Sequence, residues 1–536
     1  MRKVESRRRF GAGLAGALAL GACHPPDEIS LGGATTASGS ATTFYLSPSG
    51  NDDDAGTSTH PWRTFAKAFK RLGPATTLVL LDGTYDGGTT GYLDARCSGA
   101  GATASNGAAG APITVRADHP RAAFLRGDAS GPPFFVDGCS YWTFQDLRVE
   151  SDDLANAPDT VDAGSVVVLG ANHDIRLTGL LARHPNRYKH SHVVRIGDGS
   201  HDIVVEGCEL YDFHHNAFET WRTSNLEFRR NYVHSRDTPD LTGGYVSDDQ
   251  TRGDYGFLLE ETRNVALENN VIEDVNIGIG VVGRYMGLSA TDPPPVPADD
   301  PLDGNQLLGN VVLAPSSAGI RLDSRCQKES PCTEPARSVR NTTLIDDVVV
   351  GAAAGLDSAG AIGTNVQNMS VLASANGLLF VTEDQNVGVA STSMTANTLA
   401  VSQAEAFRVD GETNWSFDHC AASSSNGAVS DYVPDDGHVT NKVVAPPASD
   451  LGGCLVYLPA TSVLKGAGSN GHDVGANVLF RYELGVLTTM PLWIASGANH
   501  VFPCGAVVPG VNDDADTSCG GVHKRLHVGA ADCPYP

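Results

Sequence analysis

Ile203-Val204-Val205-Glu206-Gly207-Cys208-Glu209-Leu210 and Leu226-Glu227-Phe228-Arg229-Arg230-Asn231-Tyr232-Val233 are two copies of one pattern. Each runs apolar, spacer, apolar, two polar or small residues, a recurring position, spacer, apolar. Earlier copies are Trp142-x-Phe144-x-x-Leu147-x-Val149 and Ile175-x-Leu177-x-x-Leu180-x-Ala182. Later ones are Val265-x-Leu267-x-x-Asn270-x-Ile272 and the weaker Asn305-x-Leu307-x-x-Asn310-x-Val312. The spacing then puts the recurring position at Val348, Val371, Asn397 and Cys420, the last within Trp415-x-Phe417-x-x-Cys420. Successive recurring positions lie 23 to 40 residues apart, and 23 occurs three times, so one unit is about 23 residues and the rest is insertion. Alternation within a copy is a strand period. A second short strand follows in most copies: Ala217-Phe218-Glu219, Gly256-Phe257-Leu258, Gly278-Ile279-Gly280, Gly319-Ile320-Arg321 and Gly377-Leu378-Leu379. Short strands repeating without a helix between them predict a β-solenoid.

Composition agrees with an all-β chain rich in turns. The 536 residues hold 60 glycines, only 18% charged residues and 41% hydrophobic ones, so the chain has enough apolar residues for a core. The net charge of −25 argues against a general nucleic-acid binder.

The segment Phe44-Tyr45-Leu46-Ser47-Pro48-Ser49-Gly50-Asn51-Asp52, with Gly56-Thr57 and Pro61-Trp62-Arg63-Thr64 after it, resembles the N-terminal signature of secreted and surface members of the pectate-lyase-like superfamily. Leu78-Val79-Leu80-Leu81-Asp82-Gly83-Thr84-Tyr85 and Asp473-Val474-Gly475-Ala476 extend the resemblance over about 43–480. It implies a right-handed parallel β-helix with residues 481–536 as a C-terminal extension. It leaves the reaction open, because the fold carries lyases, hydrolases, epimerases and binding proteins. Thr64 to Leu72 carries Phe65, Ala68, Phe69 and Leu72 at helical spacing and predicts an amphipathic cap over the first coil. Asn231, Asn270 and Asn310 should stack and hydrogen-bond from turn to turn.

The first 22 residues read as an export signal. Arg2, Lys3, Arg7, Arg8 and Arg9 precede a short apolar run from Gly11 to Ala22. Leu20-Gly21-Ala22-Cys23 resembles a bacterial lipobox, which makes Cys23 the lipidated residue, and Ser6-Arg7-Arg8-Arg9-Phe10 resembles a twin-arginine signal. Residues 23–42 read as a flexible tether. The expectation is an exported lipoprotein held at a bacterial membrane or cell surface by its lipid alone. Eleven cysteines suit an oxidising compartment. Cys208 and Cys420 read as small buried residues. Cys326 with Cys332 and Cys97 with Cys139 are the expected disulfides, and Cys454, Cys504, Cys519 and Cys533 are expected to staple the C-terminal segment.

The longest insertions fall at about 234–255, 283–304 and 323–338, on the middle coils. Long loops on a rigid scaffold concentrate function. Residues 181–236 hold seven of the 17 histidines and balance to +1, against −25 for the whole chain. A neutral-to-basic face on an acidic rod suits an anionic sugar, although surface strands of alternating charge would have the same composition. Aligning the second strands on Phe218, Phe257, Ile279 and Ile320 puts Arg195, Glu219 and Arg321 in one outward column, and Trp221, Glu260 and Asp323 in the next. Such columns offer an aromatic platform, carboxylates and guanidinium forks.

Two chemistries fit. Glu219 and Glu260 should stand roughly 8 Å apart, as an inverting glycosidase requires. A uronate lyase would instead need positive charge against the sugar carboxylate and a base for the neighbouring C–H. Lys189, Arg195, Arg222, His190, His192, His214 and His215 are candidate bases. Trp221, Arg222, Arg321, Asp323, His214 and His215 are candidate substrate contacts, and Glu219, Glu260 and Asp323 are candidate calcium ligands. The reading is a surface β-helix acting on acidic polysaccharide. Its rival is a non-catalytic β-helix that binds glycan or a protein partner.

Overall fold

The structure, a computed structural model, describes residues 42–492 except 129–130, 152–166, 185–191, 198, 214, 236–252, 284–301, 325–338, 382–391, 413, 425–430, 446–455 and 459–460, together with 500–501 and 507–508. Cys23, Lys189, His190, His214, Cys326, Cys332, Cys454, Cys504, Cys519 and Cys533 lie outside the described residues.

Each coil contributes one strand to each of three long parallel sheets. In the coil of residues 201–221 these are His201–Glu206 in sheet A, Glu209–Phe213 in sheet B and Asn216–Trp221 in sheet C. The sheets have 16, 13 and 12 strands. The fold is a parallel β-helix. At ~4.8 Å per coil its thirteen sheet-B strands make a rod on the order of 60 Å long.

The repeat folds this way because its alternation sorts residues between an interior and an exterior. In Ser140–Gln145 burial alternates residue by residue, with Trp142 and Phe144 inside. Phe218, Phe228 and Phe257 meet in the core of neighbouring coils, with Phe218 and Phe257 stacked at 4.7 Å. Between sheets A and B the asparagine ladder forms. Asn231 Nδ2 donates to Asn270 Oδ1 and Asn270 Nδ2 to Asn310 Oδ1, both at 2.9 Å. Each Oδ1 also accepts the backbone N–H of the preceding ladder residue. Cys208 and Cys420 are buried and free in the same interior column.

Beyond Asn310 the ladder runs differently from the sequence reading. Val311 pairs with Val348, Val348 with Ser370, Ser370 with Leu399 and Leu399 with Ala421. The ladder positions are therefore Asp347, Met369 and Thr398 rather than Val348, Val371 and Asn397, with Cys420 in place. Val371 is two residues off, but Val348 and Asn397 are one residue off, and a slip of one turns a strand residue to the other face. Here both faces are apolar, so alternation no longer marks the register.

The second apolar surface belongs to the chain's own C-terminal part. Strands of the rod end at Val443–Val444. Residues from Val456 to Leu492 then run back along the outside of sheet B. Leu458, Leu464 and Val474 cover Leu372, Leu399, Val401 and Ala421. Val456, Ala476, Val478 and Leu492 cover Val271, Val311, Leu313 and Val348. This strap reaches Arg229 and Arg230, which bond Glu483 at 3.0 and 2.8 Å.

At the other end the helix is shorter than its sequence span, Phe65–Phe69, with Thr64 Oγ1 accepting from Lys67 N. Asp52 holds the helix entry by accepting from Arg63 N, Thr64 N and Thr64 Oγ1. Phe65 packs on Tyr85 at 5.8 Å and Phe69 on Trp142 at 6.0 Å, so the helix closes the first coils. The Cys97–Cys139 disulfide is present.

Candidate functional site

Sheet C presents its outward residues in the register expected from the sequence. His192 pairs with Asn216 and Arg195 with Glu219 on adjoining coils. Trp221 then pairs with Glu260 on the next coil. The inward corner is narrow: a Cβ on Gly319 would lie 2.3 Å from Val349 Cγ1, and one on Gly278 would lie 2.4 Å from Val312 Cγ1. At these glycines the column has little room for a side chain.

Glu219 is the centre of the site. It is only 8% exposed although it points away from the core. His192 Nε2 lies 2.7 Å from Glu219 Oε2, and Arg195 Nε lies 3.9 Å from Oε1. Burial alone would raise the carboxyl, but His192, Arg195 and His215 outweigh it and hold Glu219 at about 2. Asn216 Nδ2 lies 3.2 Å from both His192 Nδ1 and His215 Nδ1, and 3.3 Å from Glu219 Oε2. On the far side of His215, Asp254 Oδ2 lies 3.5 Å from Nε2. One ligand atom each from His192, His215 and Glu219 lies within 4.8 Å of the other two.

Trp221 flanks this centre. The Arg222 guanidinium lies 4.4 Å from its ring centroid and that of Arg195 5.9 Å. Arg222 is held by Glu261, Nε to Oε2 at 3.0 Å. Two guanidinium groups beside one aromatic ring can hold a sugar carboxylate.

Other residues singled out from the sequence stand elsewhere. Arg321 shares Glu219's column, but Leu258 and Gly280 intervene, so it is three coils or ~14 Å away. It pairs with Asp357 at 3.0 Å. Asp323 is two coils or ~10 Å beyond Glu260, with Val282 between them. Glu219, Glu260 and Asp323 therefore do not close round one calcium ion. Among the described residues, the group with metal-ligand geometry is His192, His215 and Glu219.

The three long insertions all attach to the edges of sheet C. The first leaves after Ser235 and returns at Gly253, whose N–H donates to Ser235 Oγ at 3.3 Å. It joins sheet B to sheet C, and its return carries Asp254 to His215. The other two join sheet C to sheet A, and one is pinned where Val339 N donates to Ser324 Oγ at 2.9 Å.

The sequence reading missed Asn216, Asp254 and Glu261. It also missed a second polar cluster on the outside of sheet B. There Arg183 bonds Glu150 at 3.1 Å and Asp212 at 3.3 Å. Tyr211 Oη donates to Glu150, and His234 stands 3.3 Å from Glu209, itself paired with Arg121 at 3.0 Å. Glu150, Arg183, Tyr211, His234 and Glu273 are successive members of one outward column. Aligning the third strand of each coil, as was done for the second, exposes it. These buried ions pair with one another, as in a structural network.

No family model and no curated protein matches the sequence. Among solved structures, the chain is similar to a pectate lyase at 16% identity, covering 81% of this chain and 95% of that one, with a TM-score of 0.44. It is similar to a mannuronic acid specific polysaccharide family 6 lyase from human gut microbiota at 14% identity, covering 76% and 92%, with a TM-score of 0.41. The A-module of a mannuronan C-5 epimerase of Azotobacter vinelandii is 13% identical, with 69% and 91% covered and a TM-score of 0.43. The chemistry of the site rests on its own residues.

Proposed function

We propose that this chain is an enzyme of acidic polysaccharides that works by β-elimination on the outer face of sheet C. The observation that carries the reading is Glu219, held ionised among His192, His215 and Arg195 beside Trp221. A glycosidase acid must keep its proton near neutral pH, which calls for a raised carboxyl. Glu219, at about 2, does not fill the acid role.

Elimination asks for different groups. Positive charge must stabilise the sugar carboxylate as the adjacent C–H ionises, and a base must take that proton. Arg195 and Arg222 supply fixed charge beside Trp221. His192 and His215, between Glu219 and Asp254, supply the nitrogen bases when they are neutral and hold no ion. The proton leaves the sugar carbon for the base, the C–H electrons form a double bond, and the glycosidic oxygen departs with the bonding pair.

In this reading residues 1–22 export the chain and lipid on Cys23 holds the rod at the membrane through the tether of residues 23–42. Metabolic labelling with a lipid precursor, lost in Cys23→Ser, tests the anchor.

The activity is tested by incubating the protein with uronate and neutral glycans, with and without calcium. Elimination yields ultraviolet-absorbing unsaturated ends. Reducing ends without absorbance would mean hydrolysis instead. Retained glycan binding with neither signal would replace the enzyme with a binding protein.

A further inference from the structure

We propose that His192, His215 and Glu219 form a binding site for a divalent transition-metal ion of the zinc type, with Asn216 in its wall and Asp254 behind it. The site is tested without a glycan, and with the ion bound His192 and His215 are ligands rather than the bases of the elimination reading.

The first argument is placement. His192 and Asn216 are register partners on adjoining strands, Glu219 lies on the same strand as Asn216, and His215 precedes that strand. The three ligand atoms already lie within 4.8 Å of one another. Donors at bond lengths of ~2.0–2.2 Å around a tetrahedral ion stand roughly 3.3–3.6 Å apart, so closure needs only small side-chain rotations.

The second is an excess of acceptors around one point. His192 Nδ1, His215 Nδ1 and Glu219 Oε2 all converge on Asn216 Nδ2 at 3.2–3.3 Å. With both histidines neutral and carrying their proton on Nε2, toward Glu219 and Asp254, these are three acceptors for the two hydrogens of one amide. Asn216 Oδ1, meanwhile, is buried without a hydrogen-bond partner among the described residues. A cation held between these side chains would satisfy all three acceptors.

The third is the surroundings. A carboxylate behind a ligating histidine fixes its tautomer and raises its basicity. Asp254 stands there, on Nε2 of His215. This leaves Nδ1 for the centre. Glu219 divides its oxygens: Oε1 faces Arg195 and Oε2 faces the histidines. The guanidinium thus lies on the far side of the carboxylate from the ion.

Donor chemistry selects the metal. Two imidazoles and one carboxylate suit zinc and its neighbours, whereas calcium requires six to eight oxygens. Three protein ligands leave a coordination position open, as in catalytic rather than structural zinc sites.

The test uses the full chain without a histidine tag, stripped with chelator and desalted. Zinc, manganese and calcium are each titrated alone, and bound metal is measured after gel filtration. Cobalt substitution reports tetrahedral geometry by its visible absorption. About one zinc per chain is expected, with calcium bound at least 10-fold more weakly. His215→Gln and Glu219→Gln should lose zinc at least 100-fold, and Asp254→Asn about 10-fold, on the scale of ligand and supporting-shell losses. Circular dichroism confirms that each variant keeps its sheets. If His215→Gln or Glu219→Gln loses them, Asp254→Asn and the cobalt spectrum decide. The proposal is overturned if the folded wild-type chain binds no zinc, binds calcium in preference, or binds zinc equally after these substitutions. None of these readouts uses a glycan, so loss of the elimination reading would leave the result intact.

Discussion

His192 Nε2 lies 2.7 Å from Glu219 Oε2 across two adjoining coils, and both side chains are buried on the outer face of the rod. A buried charge whose partners lie one coil away ties chemistry to register.

Glu219→Gln should lower activity on uronate glycans by about 100-fold or more, the scale of removing one charged group from a catalytic centre. It should also change acid unfolding. The carboxyl is depressed from 4.5 to about 2, so its stabilisation is present above pH 4.5 and is lost as pH falls through about 2. The wild-type chain should therefore lose stability between pH 4.5 and 2 more steeply than the variant. Parallel unfolding curves would remove Glu219's ion pairs from the account.

Asp347 ends the asparagine ladder, its Oδ1 accepting from Asn310 N and Nδ2 at 2.8 and 2.9 Å. Its Oδ2 is buried without a partner. Burial, opposed by the Asn310 bonds, pushes its carboxyl from 3.8 up to about 8. The folded state thus holds this proton more tightly. The resulting stabilisation is complete below pH 3.8 and is lost as pH rises toward 8. Asp347→Asn continues the ladder and offers an N–H toward the Leu307 carbonyl, as Asn310 does toward Leu267. It should stabilise the protein by about 1–3 kcal/mol near neutral pH and flatten the pH dependence of Tm. A lower Tm would count against the ladder as a stabilising device.

Tyr482 Oη donates to Asp346 Oδ2 at 2.7 Å and latches the strap to the rod. Tyr482→Phe removes this bond and leaves a buried acceptor, at a cost of about 1–3 kcal/mol. Limited proteolysis should cut residues 456–492 faster in the variant while the coils stay protected. Unchanged cleavage would mean that the apolar contacts alone hold the strap.

Gly319→Ala should destabilise the rod by about 1–3 kcal/mol through overpacking, since its Cβ would meet Val349 Cγ1 at 2.3 Å and the Gly355 carbonyl at 2.8 Å. Gly73→Ala, with nothing within 4 Å, is the control and should be neutral or slightly stabilising. Equal chemical denaturation midpoints for the two would refute the crowded-corner account.

The coil, the helical cap, the asparagine ladder and the sheet-C register were legible because each follows from local alternation or from a residue type recurring at one spacing. The pairings of Arg195 with Glu219 and Trp221 with Glu260 came from aligning aromatic core residues one coil apart. What failed was also physical. Val348 was read as a ladder residue because the strap buries it from outside, where Val271, Val311 and Leu313 make the outer face of sheet B apolar too.

The sequence by itself determined the fold, since an interior column repeating every coil specifies a β-helix from contacts between neighbouring coils alone. It also marked the polar face of residues 181–236. Only the tertiary structure decided which of those residues meet. Register put His192 on Glu219, an insertion stem brought Asp254 to His215, and two intervening coils' worth of Leu258 and Gly280 kept Arg321 away. Those outcomes depend on strand register and on the length of each insertion, and an insertion leaves no periodic trace in the strands it joins.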